Sequence, residues 1–255
     1  MEFFFFIVLG AIWGSFANVC IYRIPKNLGI STGRSFCTKC KKKIQWFDNI
    51  PIFSYVILGS KCRFCKKQID PQYIVVEIIL ACTFALIYLF YGISITTLLL
   101  TILGLFFIII FFIDLKHFII PDILSFPLMA LGLLKSFIPN LNEFIFPSYL
   151  DSILGGVFGY IIIYAIILFY RTVKKKEGMG LGDAKLMAVI GFWFGLLSIP
   201  FVMFASSLLA LLIVLPSLLN KKRQLQSKIP FGPYLIVGSV IFIFFKEPIV
   251  NYFFL

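Results

Sequence analysis

The chain has 255 residues and a net charge of +12; 61% of its residues are hydrophobic and only 13% are charged. A soluble domain of this size carries nearly twice that charged fraction, so the composition excludes a water-soluble globular protein. It also excludes disordered, fibrous and disulfide-scaffold proteins. The solvent of this chain must be lipid. We expect its basic residues to set membrane orientation and to contact anionic lipid, and we expect no nucleic-acid partner.

Eight apolar runs are candidate transmembrane helices, for which about 20 residues suffice. They cover residues 3–22, 73–91, 93–113, 121–138, 150–170, 183–199, 201–219 and 229–245. No basic segment precedes the first run, so we interpret it as a retained helix and not as a cleaved signal. The predicted fold is an all-α polytopic membrane protein with about eight transmembrane helices.

The Lys and Arg residues are concentrated on one side of this arrangement. Segment 23–72 holds 11 of the 23, and with eight spans only Lys135 and Lys246 fall on the opposite side. An excess of cations in the loops marks the cytoplasmic side of a membrane protein. We therefore predict that segment 23–72 is cytoplasmic and that both termini lie outside.

Segment 23–72 is the only stretch long enough for a small soluble domain. It contains two C-x2-C pairs, formed by Cys37 and Cys40 and by Cys62 and Cys65. Four thiolates at this spacing suit tetrahedral zinc; four reduced thiols or two strained disulfides are the alternatives, and a cytoplasmic location disfavours disulfides. A closed four-cysteine site leaves no open coordination position, so we expect a structural zinc ion. Cys20 and Cys82 lie inside predicted spans and are expected to be inert core residues.

Four acids lie at or within the ends of predicted spans, where ionisable groups are costly and often functional. They are Glu77, Asp114, Asp122 and Asp183. Asp183 ends the sequence Gly180-Leu181-Gly182-Asp183, and it either caps a helix or takes part in chemistry. The two glycines permit irregular backbone and the close approach of another chain.

The other three acids differ in how well a structural role explains them. Asp122 follows Pro121, and proline followed by an acid is typical of a helix start. Asp114 lies at the C-terminal end of its span, where the helix dipole disfavours a carboxylate. Either a function or a salt bridge with Lys116 or His117 must explain its position. The sequence does not indicate a role for Glu77.

Two carboxylates in one partly dry site share a proton near neutral pH, because they cannot both ionise easily. One then acts as a base toward water, while its protonated partner polarises a carbonyl and later protonates the leaving amine. This is the chemistry of an aspartyl protease. No Ser-His pairing competes with it, since His117 is the only histidine.

Ordered sequence blocks run from residue 10 to about residue 235. They include Gly14-Ser15-Phe16-Ala17-Asn18-Val19, Arg34-Ser35-Phe36-Cys37, Asp48-Asn49-Ile50-Pro51, Ile113-Asp114-Leu115, Ile120-Pro121-Asp122, Gly180-Leu181-Gly182-Asp183-Ala184-Lys185-Leu186 and Pro230-Phe231-Gly232-Pro233. In these blocks the chain resembles the prepilin peptidases, the polytopic type IV leader peptidases of bacteria, which are GxGD-type membrane aspartyl proteases. Thr38 is a departure, since many relatives carry proline there, but it leaves the four cysteines unchanged.

The resemblance implies a catalytic pair formed by Asp114 and Asp183. The supporting residues would be Gly180, Gly182, Asp122 and Lys185. It also implies that the enzyme removes the short basic leader of prepilins and pseudopilins after a Gly, at the cytoplasmic face of the bacterial inner membrane. Many family members also methylate the new N-terminus with S-adenosylmethionine, a role linked to the N-terminal half; no cofactor-binding motif is visible here.

On this interpretation the chain has three parts: a first transmembrane helix (1–22), a cytoplasmic four-cysteine domain (23–72) and a transmembrane peptidase core (73–255). Two other functional classes fit a membrane protein with acids in its spans. One is an ion- or proton-coupled transporter, and the other is a non-catalytic scaffold of a pilus or secretion machine. Transporters usually place acids near the midplane within repeats, whereas these acids gather at one face and no repeat is visible.

Overall fold

The computed structural model describes residues 1–30, 33–138, 141, 145–174, 179–219 and 229–254. Across these residues the secondary structure is helical, apart from two isolated antiparallel bridges. The helices are α1 (Glu2–Arg23), α2 (Phe53–Ile57), α3 (Gln72–Tyr91), α4 (Ile95–His117), α5 (Asp122–Leu134), α6 (Tyr149–Lys174), α7 (Leu181–Phe194), α8 (Ser198–Leu219) and α9 (Gly232–Phe254). The chain divides into two compact units, Met1–Ile109 and Ile110–Leu255, with the boundary inside α4.

The first unit is built on the close packing of α1 against α3. Glycines make this approach possible, because a Cβ atom at Gly10 would lie 2.5 Å from the carbonyl oxygen of Leu80. A Cβ at Gly14 would lie 2.6 Å from the Cα of Glu77. Small residues at such contacts are how helices in lipid bring their backbones together. The loop between α1 and α3, which includes α2, belongs to the same unit.

The second unit is organised around α7, which packs against α5 and α6, while α8 packs against α9. Trp193 of α7 is fully buried, and its indole N–H donates to the carbonyl oxygen of Leu128 at 2.8 Å. A Cβ at Gly132 would lie 2.7 Å from the Trp193 ring, so glycine is required for α5 to lie against this side chain. The core of this unit therefore fixes α7, whose first turn carries Asp183.

Each of the eight predicted apolar runs contains a helix, which confirms the all-α fold class. By length and composition, five helical segments among the described residues suffice to cross a membrane. They are Glu2–Lys26, Gln72–Tyr91, Ile95–His117, Tyr149–Val173 and Ser198–Pro216. Helices α5 and α7 have 13 and 14 residues. At 1.5 Å per residue, each is roughly 20 Å long, which is shorter than a hydrocarbon core of about 30 Å.

Two residues occupy environments that the sequence did not predict. Lys135 was expected to fall toward the outside at the end of the predicted span 121–138, but it is 1% exposed and its Nζ lies 4.9 Å from the centre of the Phe146 ring. Cys82 was expected in the core, but it is exposed on α3, unlike the buried Cys20. Of the loops predicted to be basic, residues 175–178 and 220–228 lie outside the described part of the chain. The three-part division at residues 22 and 72 stays a prediction.

Candidate active site

Asp114 is buried at the C-terminal end of α4 and receives a hydrogen bond from a distant part of the second unit. Asp114 is only 4% exposed. The backbone N–H of Gly232, the first residue of α9, donates to Asp114 Oδ2 at 3.0 Å. Because a helix N-terminus is positive, α9 offsets the unfavourable dipole at the end of α4. This contact explains how a carboxylate is accommodated at that position.

Asp183 is the third residue of α7 and is 8% exposed. The backbone N–H of Gly180 donates to Asp183 Oδ2 at 3.1 Å, so the carboxylate satisfies one amide at the start of its own helix. The helix cap is thus Gly180, and Asp183 accepts its N–H from inside the helix. Asp183 can therefore support the start of its helix and also take part in chemistry, because only one of its carboxylate oxygens accepts the Gly180 N–H.

The two glycines before Asp183 have different roles. A Cβ at Gly182 would lie 2.9 Å from the Cβ of Ile120, so the predicted close approach of another segment is confirmed there. Gly180 has an ordinary extended backbone (φ −85°, ψ 151°), and the nearest atom to a Cβ there would be 3.5 Å away. Gly180 therefore makes no use of the irregular backbone that a glycine permits.

The turn between α4 and α5 contacts residues that neighbour each of the two aspartates. Ile120, which is 9% exposed, contacts Gly182 on one side. On its other side, a Cβ at Gly232 would lie 3.2 Å from Ile120 Cδ1 and 2.8 Å from Asp114 Oδ2. The carboxylates of Asp114 and Asp183 interact electrostatically. The second unit thus brings the two predicted catalytic acids together in a buried environment.

Asp122 has a different environment from the buried aspartates. It is the first residue of α5, and Pro121 occupies the N-cap position, one residue before the first helical position expected for it. The Asp122 side chain is 54% exposed and forms a salt bridge with Lys185 of α7 at 2.5 Å. The predicted helix-start role agrees with this position. Asp122 and Lys185 connect the first turns of α5 and α7, between which Ile120 and Gly182 are in contact.

The four cysteines of the first unit converge on one point. Their sulfur atoms all lie within 4.8 Å of one another, with Cys37 Sγ and Cys65 Sγ 4.0 Å apart. Zn–S bonds of about 2.3 Å place the sulfurs of a tetrahedral site roughly 3.8 Å apart, so the cluster fits a zinc ion after a small contraction. The two pairs sit in matching turns. The next residue in each turn, Lys41 or Lys66, is left-handed, with φ of 61° and 57°.

The acidities of the thiols also suit a bound cation. Burial raises the pKa of Cys37, but the N–H groups of Cys40 and Lys39 and the neighbouring sulfurs lower it to about 7. The N–H of Lys67 lowers the pKa of Cys65, but burial and the other three sulfurs raise it to about 11. Ionised thiols close together oppose further ionisation, and a divalent metal removes this opposition. The donor set therefore matches a structural metal ion.

A cleft of ≈ 150 Å³ in the first unit is lined by residues of α1, α3 and the loop between them, among them Asn18, Asp48, Tyr73 and Glu77. The Arg63 guanidinium forms two hydrogen bonds with Asp48, at 2.6 and 2.8 Å, which hold the pKa of that carboxyl below its usual range. This pair connects the turn at Asp48 to the second cysteine pair. The cleft and the four-cysteine cluster therefore share structural support.

Comparison with known proteins agrees with both halves of this description. The Bacterial Peptidase A24 N-terminal domain matches residues 8–91, and the Type IV leader peptidase family matches residues 101–215. A prepilin leader peptidase/N-methyltransferase of Pseudomonas aeruginosa is 31% identical to this chain, covering 96% of it and 91% of the relative. The proteins of the same name from Vibrio cholerae and Neisseria gonorrhoeae are 33% and 34% identical; they cover 94% and 92% of this chain, and 95% and 88% of their own lengths.

The chain belongs to the type IV leader peptidase family. The resemblance predicted from the sequence is thereby confirmed, and the chain is an enzyme of this family. The N-terminal family domain falls within the first compact unit, and the leader peptidase domain extends from α4 into α8. No solved structure matches the chain.

Sequence reasoning missed three features of these sites. It gave Gly232 and Ile120 no individual role, although both appeared in the family blocks. It also found no internal repeat, whereas residues 35–44 and 60–69 share the pattern S-x-C-x-x-C-K-K-x-I and fold into matching turns. Aligning the segments around the two cysteine pairs would have revealed this repeat. The contact of Gly232 with Asp114 leaves no comparable local pattern.

Proposed function

We propose that this chain is a membrane aspartyl endopeptidase that removes the short basic leader of prepilins and pseudopilins, cutting after a Gly. The observation that carries the proposal is the pair of buried aspartates, Asp114 and Asp183, which interact electrostatically and each accept a backbone N–H. The names of the relatives support the substrate class.

The geometry supports different roles for the two oxygens of each carboxylate. In both residues Oδ2 accepts a backbone N–H, from Gly180 or from Gly232, so Oδ1 is the oxygen we assign to substrate and water. One aspartate removes a proton from the attacking water as the new C–O bond forms, and its protonated partner hydrogen-bonds to the scissile carbonyl. The tetrahedral intermediate then breaks its C–N bond, and a carboxyl proton moves to the leaving amine.

The position of the acids along their helices supports cleavage at a membrane face. Asp114 lies three residues before the end of α4, and Asp183 is the third residue of α7. A site at helix ends suits a peptide bond just outside a membrane-embedded segment. A transporter would more often place its acids near the bilayer midplane. We assign this face to the cytoplasm of a bacterial inner membrane, because segment 23–72 carries 11 cations.

We further propose that the enzyme methylates the new N-terminus of the processed pilin with S-adenosylmethionine, which supplies the methyl group. The names of the relatives and the cleft of the first unit support this second activity. Cys37, Cys40, Cys62 and Cys65 would hold a zinc ion that closes the fold of the cleft wall. Lipid is the only other partner that we assign; the cations need no nucleic acid.

The peptidase proposal is tested with purified protein in lipid nanodiscs and a prepilin that carries either Gly or Val before the cleavage site. We expect mass spectrometry to show release of the leader from the Gly substrate only. Asp114→Asn should release no leader from either substrate. Equal cleavage of both substrates, or full activity of Asp114→Asn, would overturn the proposed peptidase function.

A further inference from the structure

Glu77 is a buried acid in the first unit to which neither proposed activity has so far given a role. The residue is 7% exposed and lies on α3, five residues after the helix begins at Gln72. At 1.5 Å per residue it is about 7.5 Å along the helix. Its side chain lines the cleft assigned above to methyl transfer. An ionisable group at this depth in a membrane-spanning helix is costly, so it calls for a function or a partner.

Rigid contacts hold the Glu77 side chain in place. The backbone N–H of Ile52 donates to Glu77 Oε2 at 2.7 Å. Ile52 has φ 64° and ψ −54°, a conformation that a β-branched residue adopts only under constraint. Gly14 packs against the Cα of Glu77. An ionised carboxylate has about four acceptor positions, so the one neutral donor Ile52 leaves capacity for a ligand.

Asn18, which lines the same cleft, is engaged differently. Its amide nitrogen donates to the carbonyl oxygens of Gly14, at 3.2 Å, and Tyr73, at 2.9 Å. Its amide oxygen accepts from Gln72 at 3.5 Å. These bonds use the polar atoms of Asn18 to join α1 to α3. Glu77 is therefore a better candidate than Asn18 for direct contact with a ligand in the cleft.

We propose that Glu77 binds the α-ammonium group of the processed pilin and removes its proton before methyl transfer. The inference rests on the methyltransferase function proposed above. An α-amino group has a pKa of about 8, so at pH 7 roughly nine-tenths of it is protonated and has no free electron pair. A carboxylate held in a partly dry cleft both attracts this cation and accepts its proton.

Methyl transfer has two substrates, the ammonium group of the processed pilin and S-adenosylmethionine. The ammonium gives one proton to the Glu77 carboxylate, and the freed nitrogen electron pair attacks the methyl carbon of S-adenosylmethionine. The C–N bond forms as the C–S bond breaks, and the electron pair of that bond stays on sulfur. The product is a methylated ammonium and a neutral thioether. Glu77 then returns its proton to water through the cleft.

The other ionisable groups of the cleft do not replace Glu77 in this role. The charged ones are Arg23, Lys39, Asp48, Arg63, Lys67 and Asp70, and the remaining titratable side chains are Tyr22, Tyr55, Tyr73, Cys37 and Cys62. Asp48 is paired with Arg63, and Arg23 donates to the carbonyl oxygens of Gly29 and Ile30. Asp70 Oδ1 accepts the backbone N–H of Gln72, just before the span begins.

The first test measures binding of the substrate amine without any transfer reaction. Wild-type protein and Glu77→Gln, both in nanodiscs, are titrated with the N-terminal segment of the mature pilin carrying either a free or an acetylated amine. The glutamine oxygen can still accept the Ile52 N–H, so the turn is retained. We expect wild type to prefer the free amine by about tenfold or more, as for a charge-assisted contact, and Glu77→Gln to lose this preference. Equal preference in both proteins would overturn the inference.

The second test uses pH to separate proton removal from a structural role. At pH 7 we expect Glu77→Gln to methylate processed pilin at least about 10²-fold more slowly than wild type. Between pH 7 and 9 its rate should rise roughly tenfold, because the amine loses its own proton. The control Cys82→Ser changes an exposed side chain of the same helix that does not line the cleft, so it should stay close to wild type. A Glu77→Gln deficit that is unchanged by pH would contradict the assignment.

The two tests also separate this inference from the function on which it rests. If wild-type protein never methylates processed pilin, the methyltransferase function is wrong, whatever the binding data show. If wild type methylates and Glu77→Gln does so equally well with the same pH profile, only the role of Glu77 is wrong. Prepilin cleavage by each variant reports on the integrity of the second unit.

Discussion

The two units of this enzyme hold their functional side chains by opposite means. In the second unit, Asp114 and Asp183 are positioned by backbone amides of glycines, and Gly182 and Gly232 leave no room for a side chain. In the first unit, four cysteine side chains converge, and each supporting turn contains a left-handed lysine, Lys41 or Lys66. We therefore expect the proposed peptidase site to lose activity when a side chain is added at one of these glycines. We expect the cysteine site to lose its metal when a sulfur atom is removed.

The largest effect is expected from the aspartates. Replacing Asp114 or Asp183 with Asn should lower prepilin cleavage by about 10³-fold or more, because each is half of one catalytic unit. Asp122→Asn is the matched control in the same unit; its exposed salt bridge with Lys185 is worth little, so cleavage should change by no more than about fivefold. Initial rates of leader release measure both. Loss of cleavage in Asp122→Asn with activity in Asp114→Asn would reverse the assignment.

A smaller effect should separate the two glycines that precede Asp183. Alanine at Gly182 must displace Ile120, and overpacking of about 1–3 kcal/mol corresponds to roughly 5- to 150-fold slower cleavage if it disturbs the site alone. Gly180→Ala has open space and an ordinary backbone, so its rate should stay close to wild type. Combining Gly182→Ala with Ile120→Ala should restore much of the lost rate. Equal losses at both glycines, with no rescue, would refute this packing account.

The cysteine site should show its effect in metal content before it shows one in cleavage. Single Ser substitutions at Cys37, Cys40, Cys62 and Cys65 should each reduce bound zinc from about one ion per chain and make the loop more sensitive to proteolysis. Cys82→Ser, outside the cluster, should retain the metal. Elemental analysis after purification measures the difference. A wild-type protein without zinc, with four freely titratable thiols, would exclude the proposed metal site.

These two sites also differ in how far the sequence predicts them. The cysteine pairs form turns from residues close in sequence, so their spacing was sufficient to predict that the four sulfurs converge. Apolar runs likewise predicted the positions of the long helices, because lipid requires a continuous hydrophobic segment. The contact between Asp114 and Gly232 joins residues 118 positions apart and depends on how α4 and α9 pack. No local pattern encodes it.

Burial of individual polar residues was equally hard to predict. Lys135 was expected to fall toward the outside at the end of a predicted span, yet packing against Phe146 and Trp193 buries it. Glu77 accepts a hydrogen bond from Ile52 of the loop and packs against Gly14 of α1. Which side chains surround a residue depends on tertiary packing, and periodicity alone does not determine it.

The central claim is that two separate sets of residues, one in each unit, carry two separable reactions. The most direct measurement is mass spectrometry of the pilin N-terminus after incubation of Asp183→Asn with precursor and, separately, with already processed pilin plus S-adenosylmethionine. We predict that the precursor stays uncut and that the processed pilin gains one methyl group at a rate close to wild type. A variant that still cuts the precursor, or one that loses methylation together with cleavage while remaining folded, would contradict the claim.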